Sequence, residues 1–228
     1  MRQAAVNGLY AITPDVTDTA ELVAMTQQAL KGGASLIQYR NKSADSELRR
    51  HQARSLAGLC QGFQIPFIVN DHIDLAIAVD ADGVHLGGED APLTEARRRL
   101  GPEKIIGISC YDELERAIEA GHQGADYVAF GAFFASVTKP RAAHAPPGLL
   151  ARAKQELHIP IVAIGGITSN NAGELIRGGA DAVAVSNALF CAHDVRLAAE
   201  KISRLIEQNK AKQQAFHSSP SRANHNVT

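Results

Sequence analysis

Short apolar, β-branched runs recur along this chain, each followed by a segment of helical character, and this rhythm restricts the fold more than any other feature. The clearest unit begins with Ile161-Val162-Ala163-Ile164-Gly165-Gly166-Ile167, which follows Pro160 and reads as a buried strand. Thr168, Ser169, Asn170 and Asn171 then bring helix-start chemistry, Glu174-Leu175-Ile176-Arg177 form a helix body, and Gly178-Gly179 stop it. Ala182-Val183-Ala184-Val185-Ser186-Asn187 is a second buried strand. Two strands joined through a helix make a parallel βαβ unit. The glycines at the end of the first strand let backbone N–H groups come close to something bound there.

Strands are expected at 8–13, 35–40, 66–71, 83–87, 104–110, 127–130, 161–167 and 182–187. Helices are expected at 19–31, 46–62, 73–79, 92–100, 112–120, 168–177 and 194–208, with another at 149–157. A strand covered by helices outside and packed inside needs apolar residues on both faces, which explains the unbroken runs. A junction also repeats, in Lys31-Gly32-Gly33-Ala34-Ser35, Gly121-His122-Gln123-Gly124-Ala125-Asp126 and Arg177-Gly178-Gly179-Ala180-Asp181. The expected fold is one α/β domain over residues 1–208, an eight-stranded (β/α)8 TIM barrel. An open doubly wound sheet is disfavoured because no GxGxxG follows the first strand. From 209 to 228 the sequence turns polar and aperiodic and reads as a disordered tail.

Composition narrows the function. With a net charge of -1 there is no basic field for nucleic acid. No apolar run approaches the roughly 20 residues of a membrane helix. Residues 1–5 lack the apolar core of a signal peptide. The three cysteines, Cys60, Cys110 and Cys191, form no CxxC pair, and reduced thiols in a cytoplasmic protein are expected. Nine histidines with no HExxH or Cys/His cluster argue against zinc.

In a barrel of this type, chemistry sits at the C-terminal strand ends. Collected there are Gln38-Tyr39-Arg40-Asn41-Lys42, Asn70-Asp71, Glu89-Asp90, Ser109-Cys110, Ser136-Val137-Thr138-Lys139, Gly165-Gly166 and Ser186-Asn187. Arg40 and Lys42, two apart on an extended chain, point the same way and together suit a polyphosphate. Asp71 and Asp90 are hard oxygen donors, and Mg²⁺ is commonly held by one or two carboxylates plus substrate phosphates. Cations and carboxylates on one rim predict a Mg-bound diphosphate. Lys139 with Gly166 and the last strand end would make a second phosphate site. Taken singly, each residue has an ordinary structural reading. Asp71 could cap the following helix, His85 could be a packed, hydrogen-bonded histidine, and a charged strand end is usually solvated. Their joint occurrence at one end of successive strands favours a site.

These residues carry a family resemblance. The chain resembles the thiamine-phosphate synthase (thiamine-phosphate pyrophosphorylase) family from Gly8-Leu9-Tyr10-Ala11-Ile12-Thr13 to about Leu205. The similarity includes Gln38-Tyr39-Arg40-Asn41-Lys42, Val69-Asn70-Asp71, Gly83-Val84-His85-Leu86-Gly87-Gly88-Glu89-Asp90, Gly107-Ile108-Ser109-Cys110-Tyr111 and Thr138-Lys139-Pro140. It implies a transferase of thiamine biosynthesis. In that reaction 4-amino-2-methyl-5-hydroxymethylpyrimidine diphosphate loses diphosphate, and the thiazole phosphate nitrogen attacks the pyrimidine methylene. Its partners would be these small molecules, with Mg²⁺ as cofactor and no nucleic acid or membrane; self-association stays open. The resemblance further implies that Gln38, Arg40, Lys42 and Asn70 contact the pyrimidine diphosphate, with Tyr39 and Asn41 binding through the same motif. It places Mg²⁺ on Asp71 and Asp90, Ser109 on the pyrimidine or its diphosphate, and Lys139 on the diphosphate. Ser136, Val137, Thr138, Gly166, Ser186 and Asn187 would hold the thiazole phosphate, and Arg40, Lys42, Ser109 and Lys139 would be catalytic.

Two departures from the family pattern stand out. Ala135 follows Phe133-Phe134 where the family commonly has Pro, and Ser186-Asn187 replaces an aliphatic residue followed by Ser. On an alternating strand that moves the hydroxyl to the other face. Two alternatives remain: a related thiazole tautomerase, which shares the barrel but has no need of the diphosphate machinery, and a non-catalytic barrel that binds thiamine precursors.

Overall fold

Alternation gives each strand of this chain two apolar faces, and the two faces bury into different cores. A computed structural model describes residues 6–135, 145–146 and 148–218, without the side chains of 214–218. Its first half contains β1 (Gly8–Ile12), α1 (Thr19–Lys31), β2 (Ala34–Tyr39), α2 (Ser46–Phe63), β3 (Phe67–Asn70), α3 (Ile73–Ala78), β4 (Gly83–Leu86) and α4 (Leu93–Leu100). The second contains β5 (Ile105–Tyr111), α5 (Leu114–His122), β6 (Tyr127–Phe130), α6 (Leu149–Glu156), β7 (Ile161–Ile164), α7 (Ala172–Arg177), β8 (Ala182–Val185), α8 (Asn187–Phe190) and α9 (Val195–Ser218). The strands pair in parallel in chain order and close into a barrel, with Gly8 opposite Ala182 and Ala11 opposite Val185. Tyr10, Leu36, Ile68, Ile105, Tyr127, Val162 and Ala182 fill the interior. Their neighbours Leu9, Ile37, Phe67, Val84, Ile106, Val128, Ala163 and Val183 pack under the helices. The (β/α)8 barrel expected from the rhythm is thus the fold.

The repeated junction has a specific job at the N-terminal end of the barrel. Asp126 accepts the N–H of Ile106 at 2.9 Å, while its own N–H bonds the carbonyl of Ile106 at 2.8 Å. Asp181 treats Ile161 the same way, at 2.8 Å for both bonds. Asp82 does so for Phe67, at 2.8 and 2.9 Å. Each carboxylate therefore clamps the start of the preceding strand. Ser35 stands at the corresponding place of the repeat, at the start of β2, and its hydroxyl donates to the carbonyls of Asn7 and Leu9 instead. Arg97 completes the Asp126 clamp at 2.5 Å and also donates to the carbonyls of Gly101, Lys104 and Gly124. Asp126→Ala would strand a buried N–H and a half-buried guanidinium. A loss of about 3 kcal/mol is expected, read as a lower urea midpoint at unchanged slope. A midpoint equal to that of the parent protein would remove the clamp from the fold's support.

The structure corrects the sequence reading at three ends. The expected tail boundary at 209 falls inside α9, which continues to Ser218. Two of the polar residues there, Asn209 and Gln213, pack against α7. Buried Asn209 accepts from Arg177 at 2.6 Å, and Gln213 donates to the carbonyls of Ile176 and Arg177 at 2.8 and 3.1 Å. Gln213 thus supplies a donor to the last carbonyls of α7, which a helix end leaves open, while Asn209 holds the Arg177 side chain. Residues 219–228 lie outside the described residues. Strand β8 stops at Val185, so Ser186 and Asn187 belong to the start of α8, a four-residue helix too short to register as a period. Strand β7 likewise stops at Ile164, before the two glycines.

Candidate active site

The inward positions change character toward the C-terminal end of the barrel. Above the apolar interior layer come Gln38 from β2, Asn70 from β3, His85 from β4 and Ser109 from β5. Asn70 lies beside His85 in the strand register, and His85 beside Gly107. Asn70 has no side-chain partner among the described residues. Beyond the end of β2, Arg40 reaches Asp15 at 3.4 Å and Lys42 reaches Asp71 at 3.9 Å.

The same alternation removes two expected binding residues. Tyr39 is buried on the outer face and donates its hydroxyl to Gln52 Oε1 at 2.9 Å. Asn41 is also buried. Its amide donates to Val16 O and Gln52 Oε1 at 2.8 and 3.0 Å, and its carbonyl accepts from Ser43 and Ala44. Both side chains brace the loop that carries Arg40 and Lys42, and neither has polar capacity to spare. A five-residue motif read as a string conceals that only alternate members face one way.

Asp71 and Asp90 come together. Their carboxyl groups lie within hydrogen-bonding reach of each other. Burial, and then the neighbouring Asp90, push Asp71 up to about 6, while Lys42 and Arg40 pull it the other way. Asp90 is oriented by the N–H of Gly87 at 2.6 Å. Asp71 occupies left-handed backbone space at φ 62°, with its N–H on the carbonyl of His85 at 2.9 Å. An aspartate tolerates that conformation better than most residues. The capping alternative for Asp71 is not realised, since His72 is the N-cap of α3 and makes no side-chain cap bond. Among the described residues no cluster of three or more His, Cys, Asp or Glu side chains is placed to hold a metal.

The floor beneath these groups holds residues that the sequence reading did not single out. Gln38 Nε2 donates to the Tyr10 hydroxyl at 2.7 Å, and Tyr10 meets Tyr127 at 2.8 Å. Tyr127 then meets His85 Nδ1 at 2.9 Å, and His85 Nε2 meets Ser109 Oγ at 2.9 Å. Tyr10 and Tyr127 looked like ordinary core aromatics in apolar runs. A signal was available, because Tyr at an inward barrel position needs a polar partner for its hydroxyl. Tyr111, at φ 53°, accepts from the N–H of Gly88 at 3.1 Å and lies under the Arg116 guanidinium, tying the Asp90 loop to β5.

Comparison with known proteins decides the family. A family model described as thiamine monophosphate synthase matches residues 9–189. The thiamine-phosphate synthase of Nitrosospira multiformis is 63% identical over 217 residues, covering 95% of this chain and 91% of that protein. That of Nitrosomonas eutropha is 55% identical over 206 residues, covering 90% and 97%. The structure of thiamine phosphate pyrophosphorylase from Pyrococcus furiosus superposes with a TM-score of 0.81 at 38% identity, covering 91% of this chain and 98% of that one. The chain belongs to the thiamine monophosphate synthase family. The family is one of transferases, so the polar floor and carboxylate pair are to be read as parts of an enzyme.

Within this thiamine monophosphate synthase fold, the half of the mouth assigned to a second phosphate is described less fully. Ser136, Val137, Thr138 and Lys139 lie outside the described residues. Gly165 and Gly166 have φ of 99° and 62°, and what comes close to them is the chain's own β6 loop. A Cβ on Gly165 would sit 2.4 Å from Ala132 Cβ, and one on Gly166 would sit 2.4 Å from the carbonyl of Ala135. Phe133 and Phe134 donate their N–H groups to Ile164 and Gly165 at 3.1 Å each. The glycines therefore admit a loop first. Because Ser186 lies past the strand as the cap residue of α8, strand alternation does not fix where its hydroxyl points.

Proposed function

We propose that this chain joins 4-amino-2-methyl-5-hydroxymethylpyrimidine diphosphate to thiazole phosphate, releasing diphosphate and giving thiamine phosphate. The observation that carries this reading is the Asp71–Asp90 pair facing Arg40 and Lys42 on one rim. Two carboxylates this close, one half-titrated near neutrality, fit a divalent ion, and two protein carboxylates with phosphate oxygens suit Mg²⁺. When bound, Mg²⁺ would offset negative charge on the departing diphosphate.

The chain's own residues do the remainder. Arg40 and Lys42 neutralise the diphosphate oxygens as the C–O bond lengthens, which is electrostatic help requiring no protein nucleophile. Gln38, Asn70 and Ser109 hold the pyrimidine on the floor. The aminopyrimidine ring stabilises a methylene cation, so cleavage can precede attack. Lys139 serves the diphosphate in this reading, and Ser136, Val137, Thr138, Gly166, Ser186 and Asn187 hold the acceptor in line. Tyr39 and Asn41 support the Arg40–Lys42 loop without touching substrate.

The test is product formation by the full chain from both substrates, with and without a divalent metal. Thiamine phosphate is expected only with metal. Turnover of equal rate in chelator would overturn the metal assignment. Rearrangement of a thiazole isomer without use of the pyrimidine diphosphate would instead identify a tautomerase.

A further inference from the structure

The loop after β1 runs alongside Arg40, Asn41 and Lys42 at the mouth, and most of what joins the two segments is neutral. Thr13 is buried, and its hydroxyl donates to the Arg40 carbonyl at 3.1 Å and accepts the Arg40 N–H at 2.9 Å. The Thr13 N–H continues the β1–β2 ladder to the carbonyl of Gln38 at 2.9 Å. The Val16 carbonyl accepts the Asn41 and Gln52 amides, at 2.8 Å each. These bonds fix the backbone of Arg40 and the side chain of Asn41 without calling on a charge.

Asp15 adds a contact of another kind. A single oxygen, Oδ1, accepts the Lys42 N–H at 3.1 Å and faces Arg40 Nη1 at 3.4 Å. The contact to Arg40 is long for a charge-assisted bond, which closes to about 2.7–2.9 Å when both groups commit to it. The Arg40 side chain is 20% exposed and that of Asp15 39%, so solvent screens the pair and it contributes little to stability. A guanidinium carries five donors in a planar fork, and Asp15 engages one of its nitrogens. The two rim cations also differ in what stands against them. Lys42 Nζ faces Asp71 at 3.9 Å, a carboxylate of the pair assigned to the metal. Arg40 faces Asp15, which lies outside that pair. With the pair occupied, the charge facing Lys42 is neutralised, whereas the charge facing Arg40 is still in place when an anion arrives.

We propose that Asp15 is an internal competitor of the diphosphate for Arg40, a positioning residue that holds the guanidinium at the empty mouth and loosens the grip on diphosphate at the filled one. The inference rests on the assignment of Arg40 and Lys42 to the diphosphate in the proposed function. The carboxylate stands in for a phosphate oxygen, so Arg40 is kept from turning to solvent between turnovers. The same negative charge then repels the bound anion, whether it is the substrate's diphosphate or the released one. Such uniform weakening leaves the chemical step alone and speeds departure of the product. The sign of the effect separates this role from a structural one. A residue that only props the Arg40 loop weakens diphosphate binding when it is removed. An internal competitor strengthens it.

The experiment titrates inorganic diphosphate into the full chain by calorimetry in millimolar MgCl₂, comparing the parent with Asp15→Asn. Asparagine keeps an Oδ1 acceptor for the Lys42 N–H and removes only the charge. Asp15→Asn is expected to bind diphosphate about three- to tenfold more tightly, the effect of one partly screened charge a few ångströms from the ligand. The gain is expected to shrink as NaCl is raised from about 0.05 M to about 0.5 M, a change that would leave a steric effect unmoved. Diphosphate should also become a stronger product inhibitor of the variant by the same factor. Equal or weaker binding by folded Asp15→Asn overturns the inference. Should that variant fail to fold, Asp15→Ser removes the charge with a smaller side chain and carries the same expectation. Failure of both to fold makes Asp15 a scaffold residue and likewise overturns the inference. Arg40→Gln in the same titration is expected to lose most of the affinity. Absence of binding by the parent, or binding by Arg40→Gln equal to the parent's, refutes the diphosphate rim of the proposed function and the inference with it. Loss of the Asp15→Asn gain alone leaves that rim standing, which keeps the two failures apart.

Discussion

Asp71→Asn is expected to lower thiamine phosphate formation by about a hundred- to a thousandfold while leaving the fold intact. Asparagine is the informative substitution because residue 71 sits at φ 62°, where Asn and Asp are tolerated and Ala is strained. It keeps the size and backbone of the aspartate and removes only the charge. The N–H bond of residue 71 to His85 is independent of the side chain and should survive. Circular dichroism and melting temperature of the variant would establish that the barrel stands. The loss should appear in the steps that need a charged rim, so raising Mg²⁺ should recover part of the rate. Full turnover by a folded Asp71→Asn protein would take Asp71 out of the site and with it the observation on which the function rests.

The second large effect is a pH dependence of the metal's hold on the protein. Asp71 is pushed from an ordinary 3.8 up to about 6 in the ion-free protein, by burial and then by Asp90. Between those values the folded state binds more protons than the unfolded chain, so ion-free stability falls as pH rises through this window. A divalent ion must displace that proton, and at pH 5 only about one Asp71 in ten is ionised. The rise in melting temperature caused by millimolar MgCl₂ should therefore be small at pH 5 and full above about pH 7. The protein alone is the right sample, because substrate phosphates titrate in the same range. A metal-induced shift that is equal at pH 5 and pH 8, or greater at pH 5, would contradict the carboxylate pair as the ion's seat.

How much of this was readable beforehand follows from what periodicity can encode. The barrel was legible because eight apolar runs with helical spacers leave few other ways to bury both faces of a strand. The rim was legible as a set of strand ends, and Asp71 with Asp90 came together as expected. The direction of each side chain was not. Tyr39 and Asn41 stood inside a motif expected to bind substrate yet turn to the helices, because inward and outward positions alternate. Tyr10 and Tyr127 were passed over for the opposite reason, since aromatics in apolar strands read as plain core until the inward position of their hydroxyls is counted. Asn209 and Gln213 read as solvent-loving residues, and only the position of α7 shows that one accepts from its Arg177 and the other donates to its terminal carbonyls.

The three aspartate clamps also say something about how this barrel comes apart and goes together. Each joins the start of an odd strand to the residue preceding the next even one, so β3 with β4, β5 with β6 and β7 with β8 are fastened as pairs. The molecule is in that sense assembled from two-strand modules, even though hydrogen bonds run evenly round the ring. A chain divided between β4 and β5 leaves every clamp within one fragment. A chain divided between β5 and β6 puts Ile106 and Asp126 on separate pieces. The first division should therefore give fragments that reassociate more readily, and chain breaks, fusions or exchanged segments in this barrel are best placed at the seams between the pairs.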